Sequence, residues 1–103
     1  MAVSGKSEKI VGGYLSARQS YLKAMGLYEA QQRRLFALFN VENEADLEQA
    51  LLNNRQLHYD EVAKYNALAV AYDQQTAAYD RAVAAQQARI RQTIDDDIAR
   101  LDD

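Results

Sequence analysis

The chain contains no cysteine, no proline and no tryptophan, and it has four glycines and one histidine among 103 residues. Without cysteine there is no disulfide, no thiolate nucleophile and no cysteine-ligated zinc or iron-sulfur site. Without proline, no residue removes a backbone donor and clashes with the preceding helical turn. Long helices are therefore permitted almost anywhere in the chain.

Long hydrophobic runs are also missing. No stretch approaches the roughly 18 consecutive apolar residues that indicate a membrane-spanning helix. The first residues, MAVSGKSEKIVGGYL, lack the apolar segment of a secretory signal peptide. We expect a cytoplasmic protein without a membrane span, or one exported without a cleaved signal peptide.

The composition that remains is typical of a folded, helical protein. Hydrophobic residues make up 49% of the chain and charged residues 26%, which is ordinary for a globular domain. Alanine, glutamine, leucine, arginine and glutamate are abundant, and all of them favour helix. A chain of this length forms one domain with a modest core. The composition predicts the all-α class.

Charge is distributed unevenly along the chain. Residues 1–39 carry six basic and two acidic side chains, a net charge of +4, whereas residues 40–103 carry six basic and thirteen acidic side chains, a net charge of −7. Opposite charges favour contact between the two parts, although exposed pairs contribute little. Neither part is charged strongly enough to indicate nucleic-acid binding.

Tyrosines recur every seventh residue in two separate segments. The two series are Tyr14, Tyr21, Tyr28 and Tyr65, Tyr72, Tyr79. Small or flexible side chains lie three positions after most of them, which is the spacing of a coiled-coil seam. An antiparallel register that places Tyr28 level with Leu68 also places Tyr79 level with Ala17. In most layers of this register a large side chain faces a small one. The pattern predicts an elongated antiparallel helical hairpin that resembles a coiled coil.

Local signals give approximate helix boundaries. The glycines at positions 5, 12 and 13 disfavour helix, so residues 1–13 are expected to be a flexible segment before a hairpin domain at 14–103. Helices are expected at about 14–39, 44–52 and 55–101. Asn43 and Asp46 have the spacing of a capping box at the start of the short connecting helix. Asn53 and Asn54 offer either a left-handed C-cap or a new N-cap, so a kink or turn is expected at this pair.

An apolar series extends beyond the end of the predicted seam. Its members are Val83, Ile90, Ile94, Ile98 and Leu101. An exposed row of this kind is a candidate partner-binding surface. Its partner is either Ile10 and Val11 of the same chain or another protein, most simply a second copy. We favour a homodimer that forms a helical bundle.

Acidic residues accumulate at the C-terminal end. They are Asp95, Asp96, Asp97, Asp102 and Asp103. Negative charge is unfavourable at the C-terminus of a helix, because the helix dipole is negative there. The cluster is either a solvated tail, a docking surface for a basic partner, or a weak site for a divalent cation.

The sequence indicates no catalytic, cofactor-binding or metal-binding residue and no small-molecule substrate. SGKS at residues 4–7 resembles the end of a phosphate-binding loop, but it lacks the preceding glycine and strand. His58 has no acid or second histidine at the spacing of a di-iron bundle. We expect His58 to lie on the surface or in the seam.

Three functions are consistent with this reading. The first is a non-enzymatic protein-protein interaction or assembly module, which uses the hairpin and the apolar C-terminal residues. The second is a small chaperone or adaptor of a secretion or phage-assembly system, to which the chain is similar in size and helicity. The third is an acidic inhibitor of a basic nucleic-acid-binding protein.

Overall fold

The computed structural model describes residues 5–102, and within them the side chains of residues 9–101. These residues form three helices: α1 (Gly5–Phe39), α2 (Glu44–Asn53) and α3 (Tyr59–Asp102). Residues 5–102 contain no strand, and none of their helices is long and apolar enough to cross a bilayer. The predicted all-α fold, with a short helix between two long ones, is confirmed.

The chain divides into two compact units. The middle unit is Leu22–Gln74, and the terminal unit combines the chain up to Tyr21 with the chain from Gln75 onward. Both long helices contribute to each unit, whereas α2 belongs to the middle unit alone.

The core of the middle unit is small and centred on two leucines. Leu35 of α1 and Leu47 of α2 are 0% and 1% exposed, and Ala24 is also buried. Burying a leucine completely stabilises the fold by about 1.5–3 kcal/mol. Burial of Leu47 thus stabilises the position of α2 within this unit.

In the middle unit α1 and α3 run antiparallel. Residues later in α1 contact residues earlier in the second half of the chain, as antiparallel helices require. Tyr28 contacts Tyr65 and Tyr72, with ring centroids 5.2 Å apart in both pairs. At the far end, the ring of Phe39 lies edge-on to His58 at 5.3 Å.

The terminal unit shows the same direction and a similar arrangement of rings. Tyr79 lies between Tyr14 and Tyr21, with centroid distances of 5.8 and 4.9 Å and edge-to-face geometry in both pairs. Further along, Ile10 lines a cleft with Ala85 and Arg89 of α3.

These ring contacts confirm the predicted register within each unit. Tyr28 lies between Tyr65 and Tyr72, which is the level of Leu68. Tyr79 lies between rings on α1 that flank the level of Ala17. The idea that each ring meets chiefly a small residue is incomplete, because interdigitated side chains also touch the two large neighbours that flank the opposite position.

The start of α2 follows the predicted capping pattern. Asn43 Oδ1 accepts a hydrogen bond of 2.8 Å from the backbone N–H of Asp46, and Asn43 Nδ2 donates to Asp46 Oδ2 at 3.0 Å. The helix ends at Asn53, one residue after the expected end. Asn54 caps it from an ordinary φ of −130° and a turn follows at residues 55–58, so the expected break in the helix is present but the left-handed C-cap is not.

Within residues 5–102, the left-handed residues are instead Asn40 and His58, with φ of 54° and 53°. His58 immediately precedes α3, and its carbonyl oxygen accepts from the N–H of Val62 at 2.9 Å. α3 therefore begins at Tyr59 and not near Arg55, because residues 55–58 form the turn that connects α2 to it.

α1 begins at Gly5, well before the expected start at Tyr14. A Cβ added at Gly12 or Gly13 would meet no atom within 4 Å, so no close packing requires glycine there. Each glycine costs about 1 kcal/mol relative to alanine but does not block helix. Just before these glycines, half-buried Ile10 lines the cleft that α1 shares with α3. Residues 1–4 of the predicted flexible segment lie outside the described part of the chain.

Candidate protein-protein interface

The five apolar residues near the end of α3 lie on one face of that helix. We call Val83, Ile90, Ile94, Ile98 and Leu101 the isoleucine stripe. Val83 is half-buried, whereas Ile90, Ile94, Ile98 and Leu101 are 46%, 53%, 53% and 84% exposed. Since α3 continues without a break to Asp102, spacings of three, four and seven residues place all five along one side.

The cleft at Ile10, beyond the ring contacts of Tyr79, is lined by a different side of α3. Ile10 faces a cleft of about 460 Å³ that α3 lines with Ala85, Arg89, Gln92 and Asp96, among others. At about 100° per residue, Ile94 points about 180° away from Ala85 and about 160° away from Asp96. No residue of the isoleucine stripe lines this cleft with Ile10.

Buried polar atoms border the same contact with α1. Gln86 Oε1 and Arg89 Nε are inaccessible and have no hydrogen-bond partner among the described residues. An unpaired buried polar atom typically destabilises a fold by about 1–3 kcal/mol. Both residues belong to the part of α3 that lies in the terminal unit.

The acidic residues next to the stripe are exposed, and two of them are engaged within α3. Asp97 forms an ion pair with Arg100, and Asp96 Oδ1 accepts from Gln92 Nε2 at 3.0 Å. Asp95 is also exposed. The side chain of Asp102 and the whole of Asp103 lie outside the described part of the chain. Among described residues, no group of three or more His, Cys, Asp or Glu could hold a metal ion.

His58 lies in the seam of the middle unit. Its ring is half-buried and packs edge-on against Phe39. The backbone at His58 is left-handed, a conformation that histidine, like asparagine and aspartate, adopts more often than other residues with a side chain. Its position at the junction before α3 gives it a structural task, namely to turn the chain.

The strongest polar cluster lies in the middle unit and involves Glu61. Gln31, which is 5% exposed, donates through Nε2 to the backbone oxygen and to Oε2 of Glu61 at 3.0 and 2.7 Å. Arg34 Nε lies 2.9 Å from the same carboxylate oxygen. The hydrogen bond from Gln31, with help from Arg34, lowers the pKa of Glu61. Arg34 and Gln31 thus join α1 to the first turn of α3 through one carboxylate.

A second apolar surface was not predicted from the sequence. Between α2 and α3, a cleft of about 570 Å³ is lined by Leu51, Leu52, Tyr59, Val62 and Ala63, with Glu48 and Arg55 at its edge. Leu52 and Tyr59 are 60% and 64% exposed. Apolar residues on both sides of the Asn53–Asn54 pair were the available signal. Their joint position depends on how the connecting turn brings α2 against α3.

No protein-family model, curated protein or solved structure matches this chain. The candidate interface is the isoleucine stripe at the end of α3. Its two defining features are the exposure of its aliphatic side chains and the charged residues that border it.

Proposed function

We propose that the protein is a non-enzymatic interaction module that binds a protein partner through the isoleucine stripe. The observation that supports this most strongly is the exposure of four large aliphatic side chains on one face of α3, away from the side that meets Ile10. Contiguous exposed apolar surface commonly marks a site of protein association. An apolar helix face is also a common way to dock a second helix.

The stripe fits a helical partner better than the acidic residues fit a basic one. Asp96 and Asp97 already contact Gln92 and Arg100 of the same helix. An acidic inhibitor would have to give up these contacts or share them. A chaperone or adaptor that holds an apolar helical client uses the same surface as the proposed module, so the identity of the partner distinguishes the two.

The proposal is tested by changing one exposed residue of the stripe and one matched residue elsewhere. Ile94 and Leu15 are 53% and 52% exposed. We therefore compare Ile94→Asp with Leu15→Asp, after circular dichroism has established that both remain helical. Partners recovered with the tagged full chain from its own cells are purified, and their binding is measured directly together with self-association.

Ile94→Asp is expected to weaken binding at least tenfold, which corresponds to about 1.4 kcal/mol, whereas Leu15→Asp leaves it unchanged. If Ile94→Asp retains every interaction of the unmodified chain, including any with itself, the proposed function is wrong. Loss of binding in both variants would equally contradict a role specific to the stripe.

A further inference from the structure

The occupant of the isoleucine stripe can be inferred from the arrangement of its residues and their neighbours. This inference rests on the proposed function, because it names the partner for the same surface. We propose that the stripe pairs with the stripe of a second copy, with the two α3 helices antiparallel and related by a two-fold axis near Ile94.

The spacing of the stripe suits such an axis. Ile90 and Ile98 lie four residues before and after Ile94. A two-fold axis at Ile94 therefore places Ile90 of each copy level with Ile98 of the other and brings the two Ile94 side chains together. The surface is then complementary to itself, as an isologous dimer interface requires.

The charges beside the stripe favour the antiparallel direction. Arg91 and Asp95 are both exposed and border the same side of the stripe, one helical turn apart. A two-fold axis perpendicular to the two α3 helices places the side that carries Arg91 and Asp95 in one copy beside the same side of the other copy. The two helices then run in opposite directions. Arg91 of each copy then faces Asp95 of the other, so the pair occurs twice.

Parallel pairing has the opposite electrostatic consequence. It places Asp95, Asp96 and Asp97 of both copies at the same level, where like charges repel. Charge arrangement affects the choice and orientation of a partner more than total affinity. The carboxylates also disfavour an anionic lipid surface or a phosphate backbone as the occupant, since both are negatively charged.

Cysteine cross-linking tests the orientation directly, because the chain contains no cysteine of its own. Single variants Ile90→Cys, Ile94→Cys and Ile98→Cys are made in the full chain and oxidised mildly. A disulfide needs Cβ atoms about 3.5–4.5 Å apart. Val70→Cys, at a position that is 56% exposed, reports random collision.

Antiparallel pairing predicts that Ile94→Cys forms covalent dimers several-fold more than Val70→Cys. It also predicts that Ile90→Cys and Ile98→Cys cross-link with each other in a mixture but weakly with themselves. If Ile90→Cys and Ile98→Cys each cross-link efficiently with themselves, the helices are parallel and the proposal is overturned. Cross-linking no greater than that of Val70→Cys at all three positions also overturns it.

Charge reversal provides an independent measurement on the chain without added cysteine. Arg91→Glu and Asp95→Arg are each expected to weaken dimerisation roughly tenfold in sedimentation equilibrium, because two symmetric pairs become repulsive. The double variant is expected to restore dimerisation. Failure of the double variant to recover affinity would contradict the proposed contact.

The two proposals fail in different ways. A chain that stays monomeric in sedimentation but binds another protein in a manner that depends on Ile94 excludes the dimer and leaves the proposed function intact. A dimer that Ile94→Asp does not disturb excludes this interface. If no other interaction depends on Ile94 either, the proposed function is excluded as well.

Discussion

The side-chain amide of Gln31 donates to both the backbone oxygen and the carboxylate of Glu61, at 3.0 and 2.7 Å. These two residues join α1 to the first turn of α3 within the middle unit. Gln31 is nearly inaccessible, so its amide would be unpaired if Glu61 were lost. The pair is the clearest polar link between the two long helices.

Stability is expected to depend on pH through Glu61. The hydrogen bond from Gln31, followed by the contact with Arg34, lowers the pKa of Glu61 below its ordinary value of 4.5. A carboxyl group whose pKa is lowered in the folded state stabilises the fold at pH values above its pKa in the unfolded chain. This stabilisation is lost as the pH falls through its pKa in the folded state. Glu61→Gln should therefore lower the Tm near neutral pH, and the difference should shrink in acid.

Thermal unfolding followed by circular dichroism over a series of pH values measures this dependence. Glu29→Gln is the control, because Glu29 is an exposed glutamate of α1. If Glu61→Gln and the control show the same pH dependence as the unmodified chain, the contact between Gln31 and Glu61 does not persist in solution.

Leu35 should dominate the core of the middle unit. It is 0% exposed, and truncation of a fully buried leucine to alanine typically costs about 2–5 kcal/mol, because both apolar burial and packing are lost. Leu35→Ala is expected to lower the free energy of unfolding by that amount in urea titration. Leu27→Ala, in the same helix at a position 49% exposed, should cost less than about 1 kcal/mol. Equal effects would show that Leu35 is not packed as described.

The hydroxyl pair of Tyr28 and Tyr65 should be measurable separately from the ring contact. The oxygens are 2.9 Å apart, and Tyr28→Phe removes this hydrogen bond but keeps the stacked rings. The expected loss is about 0.5–1.5 kcal/mol, the usual net contribution of one hydrogen bond. Tyr59→Phe, at a ring that is 64% exposed, is the control and should be neutral in the same urea titration.

The same pair gives an alkaline signature. Burial, assisted by the hydrogen bond to Tyr65, raises the pKa of Tyr28 well above its ordinary value. A tyrosine whose pKa is raised in the folded state stabilises the fold fully at pH values below its pKa in the unfolded chain. This stabilisation is lost as the pH rises toward its pKa in the folded state. Ultraviolet titration should show late-ionising tyrosines, because the hydrogen bond to Tyr14 also raises the pKa of Tyr79, and one of them should disappear in Tyr28→Phe. A titration identical to that of the unmodified chain would contradict this assignment.

The glycines of α1 should be replaceable with a gain in stability. Gly12 and Gly13 are exposed and helical, and a Cβ at either meets no atom within 4 Å. Alanine is favoured over glycine in a helix by about 1 kcal/mol. Gly13→Ala is therefore expected to raise the free energy of unfolding and the helical signal. A decrease in stability would mean that residues 5–13 are not helical in solution.

Some features followed directly from residue spacing. The seven-residue repeat of Tyr14, Tyr21 and Tyr28 predicted one side of the seam, because side chains seven apart lie on nearly the same helix face. The hydrogen bonds of Asn43 and Asp46 were predictable for a similar reason, since capping involves residues only three positions apart. The exposed end of α3 was also visible as a row of aliphatic residues with no counterpart opposite.

The remaining features depended on how distant segments pack. Local propensity argued against helix at Gly12, but α1 runs through that position from Gly5, and Ile10 lies beside α3 in a shared cleft. The left-handed backbone at His58 and the cleft beside Tyr59 arise where the connecting turn sets α2 against α3. The sequence by itself thus determined the helices, their antiparallel register and the cap of α2, because these depend on short repeats. Tertiary packing decided where the helices begin and which face of α3 remains exposed, because burial in contacts between helices outweighs local preferences of about 1 kcal/mol.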